Sequence, residues 1–251
     1  MAVTVNDVVR EVEMIAPKSL AADWDNVGLL IGDGEVPVQR AAVTLDVSRA
    51  TIREAVKAGA SLIVSHHPMI YKPVSLIRAD DPTGFKIMEL IRNGISLIAA
   101  HTNYDAAPGG TNDTLCDLLG LSGVSQIIRD GGGFMGRTGN LPEETTAGKL
   151  AKQLKELLAC VDIRLYGDKD AVISGIAVCA GGGSKPEYIK EAFDAGYKCY
   201  VTGDTRYHDV RYAEELGVTL IDATHRATEL PGVRKLAERL NEAFAGMFQV
   251  M

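Results

Sequence analysis

The chain has 251 residues, 46% of them hydrophobic and 24% charged, which is the composition of a globular protein of one large domain or two small ones. Its net charge of −7 is spread over interspersed acidic and basic residues with no basic block, so nucleic acid is not an expected partner. No apolar run approaches the ~20 residues of a membrane helix, and the opening MAVTVNDVVREVEMI lacks a signal-peptide core, so no membrane contact and a cytoplasmic location are expected.

In chain order, Val5, Val8, Val9, Val12 and Ile15 fall on one helical stripe, with Thr4 or Asn6 as N-cap and Pro17 just beyond the end. AAVTLDV (41–47) reads as a strand, Ser48 as the cap of a helix over about 49–58, Gly59 as its terminator and SLIVS (61–65) as the next strand. A buried strand around 95–100 leads to a helix near 111–119. Gly131–Gly136 matches G-x-G-x-x-G but is succeeded by Gly139 and Pro142 rather than a helix, so 131–139 is expected to be a flexible loop joining two halves.

The chain then repeats the strand-helix-strand unit. GIAVCA (175–180) is its first strand, GGGS its turn, 186–195 its helix, with Ser184 as cap, Pro186 in the first turn and Glu187 placed for a capping box, and YKCYVT (197–202) its second strand. Its turn reads as a tight glycine turn, with phosphate cradling at the helix start as the alternative. Glu54–Gly59 aligns with Glu191–Gly196, each leading to a strand that ends in Ser65 or Thr202, which indicates internal duplication. VTLIDA (218–223) is a further strand, and Val233, Leu236, Leu240 and Phe244 stripe the last helix. The expected fold class is α/β: two related lobes with mainly parallel sheets, one of residues 1–125 completed by 218–251, the other of 126–217.

All five histidines sit at or just after predicted strand ends, in SHHP (65–68), HTNYD (101–105), YHD (207–209) and THRATE (224–229). Ligand sites of open α/β sheets form at the carboxyl ends of strands, where side chains distant in sequence can converge. Adjacent residues leaving a strand point to opposite sides, so His66 and His67 can both bind metal only if the chain turns there, as Pro68 favours, or if two ions sit between them; otherwise they are surface loop histidines. Asp105 can bridge two cations, or serve as a turn former. His225 and Glu229, four residues apart, can aim at one point. Nitrogen and oxygen donors without thiolate suit Zn, Fe, Mn or Co. Cys116, Cys160, Cys179 and Cys199 show no C-x-x-C spacing and read as buried reduced thiols.

WDNVGLLIGD (24–33), LDVS (45–48), IVSHHPMIY (63–71), HTNYD (101–105), GGGFMGRTGNL (131–141), VTGDTRYHD (201–209) and THRATE (224–229) together resemble the Nif-three-like dinuclear metal-centre hexameric proteins, many of which carry the name GTP cyclohydrolase 1 type 2 homologue. The resemblance runs nearly end to end. It implies two α/β lobes with a dinuclear site between them, two divalent ions per chain on His66, His67, Asp105, His225 and Glu229, His101 as a pocket residue, and a toroidal homohexamer. Thr224 stands where that family usually has glycine, and the length leaves no room for the inserted domain of some members.

Residues and resemblance together point to a metal-dependent hydrolase acting on a nucleotide or related phosphorylated heterocycle, with His101, ahead of His208, as the proton-transfer group. A non-catalytic metal-binding scaffold or regulatory interaction protein, and a two-metal phosphatase or phosphodiesterase, are the alternatives.

Overall fold

The computed structural model describes residues 2–250. The chain divides into two compact units, Met1–Pro108 with Val233–Met251, and Gly109–Gly232. This differs from the expected boundaries at 125 and 218. The strand Thr219–Asp222 pairs in parallel with Cys199–Thr202, so it completes the second sheet, and only the later part of the last helix belongs to the first unit.

The first unit is a layered sandwich. Its sheet runs in the order Gly28–Ile31, Ser96–Ala99, Leu62–Ser65, Ala41–Thr44, Phe248–Val250, with every pairing parallel except the first. Alternate residues of each strand face opposite layers. Val43, Val64 and Ile98 pack with the helices Val5–Ile15 and His225–Ala243, whereas Ala42, Ile63 and Leu97 pack with Arg49–Lys57 and Pro82–Arg92. Burial on both faces is why these strands read as continuous apolar runs. Thr4 caps the first helix in a capping box with Asp7, and Ser48 caps the second through the backbone N–H of Thr51, so both starts fall where the sequence puts them.

The second unit has a six-stranded sheet in the order Ser122–Asp130, Gly133–Thr146, Val172–Val178, Cys199–Thr202, Thr219–Asp222, Arg164–Tyr166. Only the pairings among Val172–Val178, Cys199–Thr202 and Thr219–Asp222 are parallel, so this sheet is mixed rather than mainly parallel. The expected flexible loop at 131–139 is a hairpin. Gly131, at φ +62°, turns the chain, and the two strands then pair antiparallel from Asp130–Gly133 to Ser122–Asn140. The later glycines answer close packing: a Cβ on Gly136 would stand 2.5 Å from Ile128 Cδ1. Arg137, buried in this hairpin, is held by Asp113 at 2.5 Å and by the Phe134 and Gly136 carbonyls.

The helix Pro186–Asp194 starts where expected, but its cap lies one residue later than expected. Lys185 is its N-cap and no side chain caps it, because Ser184 donates to Asp209 instead. Gly59 and Gly196, equivalent in the two copies, both adopt positive φ (+68° and +91°) just past their helices, with nothing within 4 Å of an added Cβ. All four cysteines are free and buried, and burial pushes the thiols of Cys116 and Cys199 up to about 12.

Candidate metal centre

In the first unit the site grows from two neighbouring strand ends. Leu62–Ser65 and Ser96–Ala99 lie side by side with Ser65 opposite Ala99, so the segments leaving them start from the same edge. The backbone N–H groups of His66 and His67 still bond to Thr44 and Leu45, and the chain bends there as Ser65 Oγ donates to the His67 carbonyl at 2.9 Å. The bend resolves the objection that adjacent residues diverge. The rings of His66 and His67 lie 5.1 Å apart, and each is within 5.4 Å of the His101 ring. One ligand nitrogen from each of the three lies within 4.8 Å of the others. Asp105, on the short helix Thr102–Ala106, places Oδ1 3.5 Å from His66 Nε2.

Each ring is aimed by an oxygen behind it. His66 Nδ1 lies 2.9 Å from the Ala100 carbonyl, His67 Nδ1 2.8 Å from Asp46 and His101 Nδ1 2.9 Å from Asp25. A carbonyl can only accept, so the His66 proton sits on Nδ1 and its lone pair on Nε2; carboxylates impose the same tautomer on the neutral His67 and His101 rings. Asp25 also accepts from the N–H and hydroxyl of Thr102, at 3.0 and 2.5 Å. Burial pushes the Asp25 carboxyl up, but the bonds and charge from His101 and Thr102 outweigh it and hold the group at about 2.

In the second unit the chain leaves Thr219–Asp222 through a turn and enters the helix His225–Ala243. His225 Nε2 is 3.0 Å from Glu229 Oε1, and its Nδ1 is 2.7 Å from Asp204 Oδ2. Burial of the ring lowers its basicity, but Glu229 and then Asp204 outweigh this and raise it to about 9. Thr224 adopts φ +65°, a left-handed conformation unfavourable to a β-branched residue, which accounts for the glycine expected at this position. The Gly181–Gly183 turn has its own explanation here. A Cβ on Gly181 (φ +71°) would come 2.1 Å from Glu229 Oε1 and 3.2 Å from His225 Nε2, so the glycine lets the backbone pass beside these two side chains.

His208 does not join either group. It is exposed on the helix Tyr207–Leu216 with its ring edge against Tyr207. Sequence reasoning missed Asp25, Asp46 and Asp204. All three lie within the motifs WDN, LDVS and GDT, and their signal is that each carboxylate sits in a short strand-end motif like those that carry the histidines.

The donor set is nitrogen and oxygen, each histidine is backed by an oxygen acceptor, and no thiol takes part; this fits divalent ions of borderline hardness. The family model of Duf34/NIF3 (NGG1p interacting factor 3) matches residues 3–251. This chain belongs to the Duf34/NIF3 family. Among its Duf34/NIF3 relatives, a Clostridium perfringens protein named GTP cyclohydrolase 1 type 2 homolog is 36% identical, over 94% of this chain and 91% of its own. One of the same name from Methanocaldococcus jannaschii is 32% identical over 94% and 93%. The Duf34/NIF3 fold is seen again in a Bacillus cereus protein related to NIF3, with TM-score 0.89 and 24% identity over 100% of this chain and 96% of that one. Reduced HcgD from M. jannaschii superposes with TM-score 0.87 and 28% identity over 100% and 99%. A same-named relative from Halalkalibacterium halodurans aligns over 343 positions while covering 93% of this chain, so it carries inserted sequence that this Duf34/NIF3 protein lacks. Among the described residues no helix is long and apolar enough to cross a membrane.

Proposed function

We propose that this chain is a metal-dependent hydrolase that binds two divalent ions, Zn, Fe, Mn or Co, through His66, His67, Asp105, His225 and Glu229. Its substrate class is a nucleotide or related phosphorylated heterocycle, in line with the names of its relatives. The observation that carries the reading is the orientation of three histidines, His66, His67 and His225, by oxygen acceptors at Nδ1, the arrangement that fixes a ligand ring for metal through Nε2.

Residues His66, His67, Asp105, His225 and Glu229 would hold divalent ions, which would supply Lewis acidity and lower the pKa of water towards neutral pH. The protein's own part is positional. Asp46 and the Ala100 carbonyl hold the His67 and His66 rings, and Asp204 holds His225. His101 has its Nδ1 proton anchored on Asp25 and offers Nε2 as an acceptor beside the cluster, so it can take a proton from the attacking water and pass it to the leaving atom. Chemistry and not assembly is the favoured role because five protein ligands leave two ions with open coordination positions.

Elemental analysis of the purified chain beside a His66→Ala, Glu229→Ala double variant, and then GTP turnover, tests this. About two metals per chain, lost in the variant, with formate and a ring-opened base as products, is the expected result. Free phosphate in place of formate would replace cyclohydrolase with phosphatase chemistry, and absence of metal would overturn the centre.

A further inference from the structure

Two aromatic side chains beside the histidines hold no metal and move no proton in the proposed reaction. Trp24, the one tryptophan of the chain, is 46% exposed, and Tyr71 is 48% exposed. Their ring centroids are 5.8 Å apart at 58°, and the Trp24 centroid is 5.9 Å from that of His101 at 71°. Trp24 therefore meets its neighbours through tilted and edge contacts, and much of its indole surface stays open to water.

Both rings are held in place from behind. Asp25, next in sequence to Trp24, accepts from His101 and Thr102, and Asn26 Nδ2 donates to the Ile70 carbonyl at 2.6 Å, one residue before Tyr71. The same short segment that orients His101 thus fixes the indole relative to it and staples the Tyr71 loop alongside. Beyond Tyr71 the surface opens into a cavity of about 650 Å³ whose walls include Lys72, Leu76 and Arg78.

We propose that Trp24 and Tyr71 form a platform on which a planar nitrogen heterocycle of the size of a purine stacks, delivering the ring edge to His101. The proposal rests on the reading of His66, His67 and His101 as part of the reaction centre. A large aromatic face kept in water is unfavourable unless a ligand or partner covers it, and hydrogen bonds that fix it in advance remove the ordering cost of binding. The 58° angle between the rings rules out a sandwich, so the heterocycle would lie on one ring with its edge against the other, a common geometry for aromatic pairs. The cavity beyond Tyr71 has room for the substituents that the ring carries.

A single tryptophan makes the test direct. Indole fluorescence of the metal-loaded full chain, excited at its red edge where purines do not absorb, is recorded against guanosine, GTP and inorganic triphosphate. Saturable quenching by guanosine and GTP but not by triphosphate is expected, with the midpoint raised about tenfold or more in Tyr71→Leu, where the reporter remains. No response to either purine, or an equal response to triphosphate, would overturn the platform, and an unchanged midpoint in Tyr71→Leu would remove Tyr71 from it. Metal content measured on the same samples separates the two readings: metal retained with a silent tryptophan sinks the platform alone, and saturable quenching without metal sinks the centre alone.

Discussion

His101 and His225 occupy equivalent places in their units. Each comes just after the third strand of a parallel triplet, Ser96–Ala99 in one case and Thr219–Asp222 in the other, and each of those strands has an antiparallel neighbour on its far side. In each unit an aspartate from an earlier loop holds Nδ1, Asp25 at 2.9 Å and Asp204 at 2.7 Å, and an acidic residue stands four positions later, Asp105 or Glu229. The units differ in the ligands and helices built around these histidines. The first unit adds the His66–His67 pair and leaves His101 as the N-cap of a five-residue helix, whereas the second offers Gly203–Asp204 after its middle strand and sets His225 at the head of nineteen helical residues. One backbone plan thus presents a nitrogen-rich group of donor atoms in one copy and a mixed nitrogen-oxygen pair in the other.

If the two halves are functionally matched, removing a ligand from either should have the same consequence. His66→Ala and His225→Ala are each expected to weaken metal binding by more than ~100-fold, with the supporting changes Asp46→Asn, behind His67, and Asp204→Asn, behind His225, weakening it by ~10–100-fold. Competition against a chelator measures all four. A large loss from one half and none from the other would show that a single unit holds the metal.

The glycines sharpen the comparison through stability. Gly181→Ala is expected to cost at least ~2 kcal/mol, because strain at φ +71° adds to a clash with Glu229. Gly59→Ala, where φ is +68° and an added Cβ meets nothing, should cost about 1 kcal/mol. Urea midpoints report both, and equal values would mean that Glu229 moves aside freely.

The pH dependence of the metal-free chain should differ in direction between the units. His225 has a folded value of about 9 against 6.5 unfolded, so its stabilisation is full below about pH 6.5 and is lost as pH rises through 9. Asp25, at about 2 against 3.8, contributes above about pH 4 and loses that contribution as pH falls through 2. These shifts correspond to about 3 kcal/mol for His225 and about 2 kcal/mol for Asp25, and thermal melts of His225→Gln and Asp25→Asn against pH should flatten the alkaline and acid limbs respectively. The smallest expected effect is a gain. Thr224→Gly should stabilise by about 0.5–1 kcal/mol, the relief of a left-handed threonine offset by the greater freedom of unfolded glycine.

Much of the candidate centre was legible in the chain because its candidate donor residues sit at strand ends, and strand ends announce themselves through apolar runs such as SLIVS and ISLIAA. Caps at Thr4 and Ser48 and the duplicated helix ends at Gly59 and Gly196 were equally local. Three things were not. The pairing of Asp25 with His101 spans 76 residues and is set by tertiary packing, which no spacing rule encodes. Glycines 131–139 looked flexible because composition does not distinguish a residue that needs freedom from one that needs room, as Gly136 does against Ile128. The unit boundary was missed because the helix His225–Ala243 reads as one amphipathic element although its two ends belong to different units.

The way His66 is held has a bearing on how such a centre withstands mutation. His67, His101 and His225 depend on three aspartate side chains, each of which a single nucleotide change can delete. His66 depends on the carbonyl of residue 100, which every amino acid at that position supplies. Of the four rings, the most deeply buried is the one whose orientation is guaranteed by the course of the main chain, so drift in the surrounding sequence can loosen the other three before it touches this one.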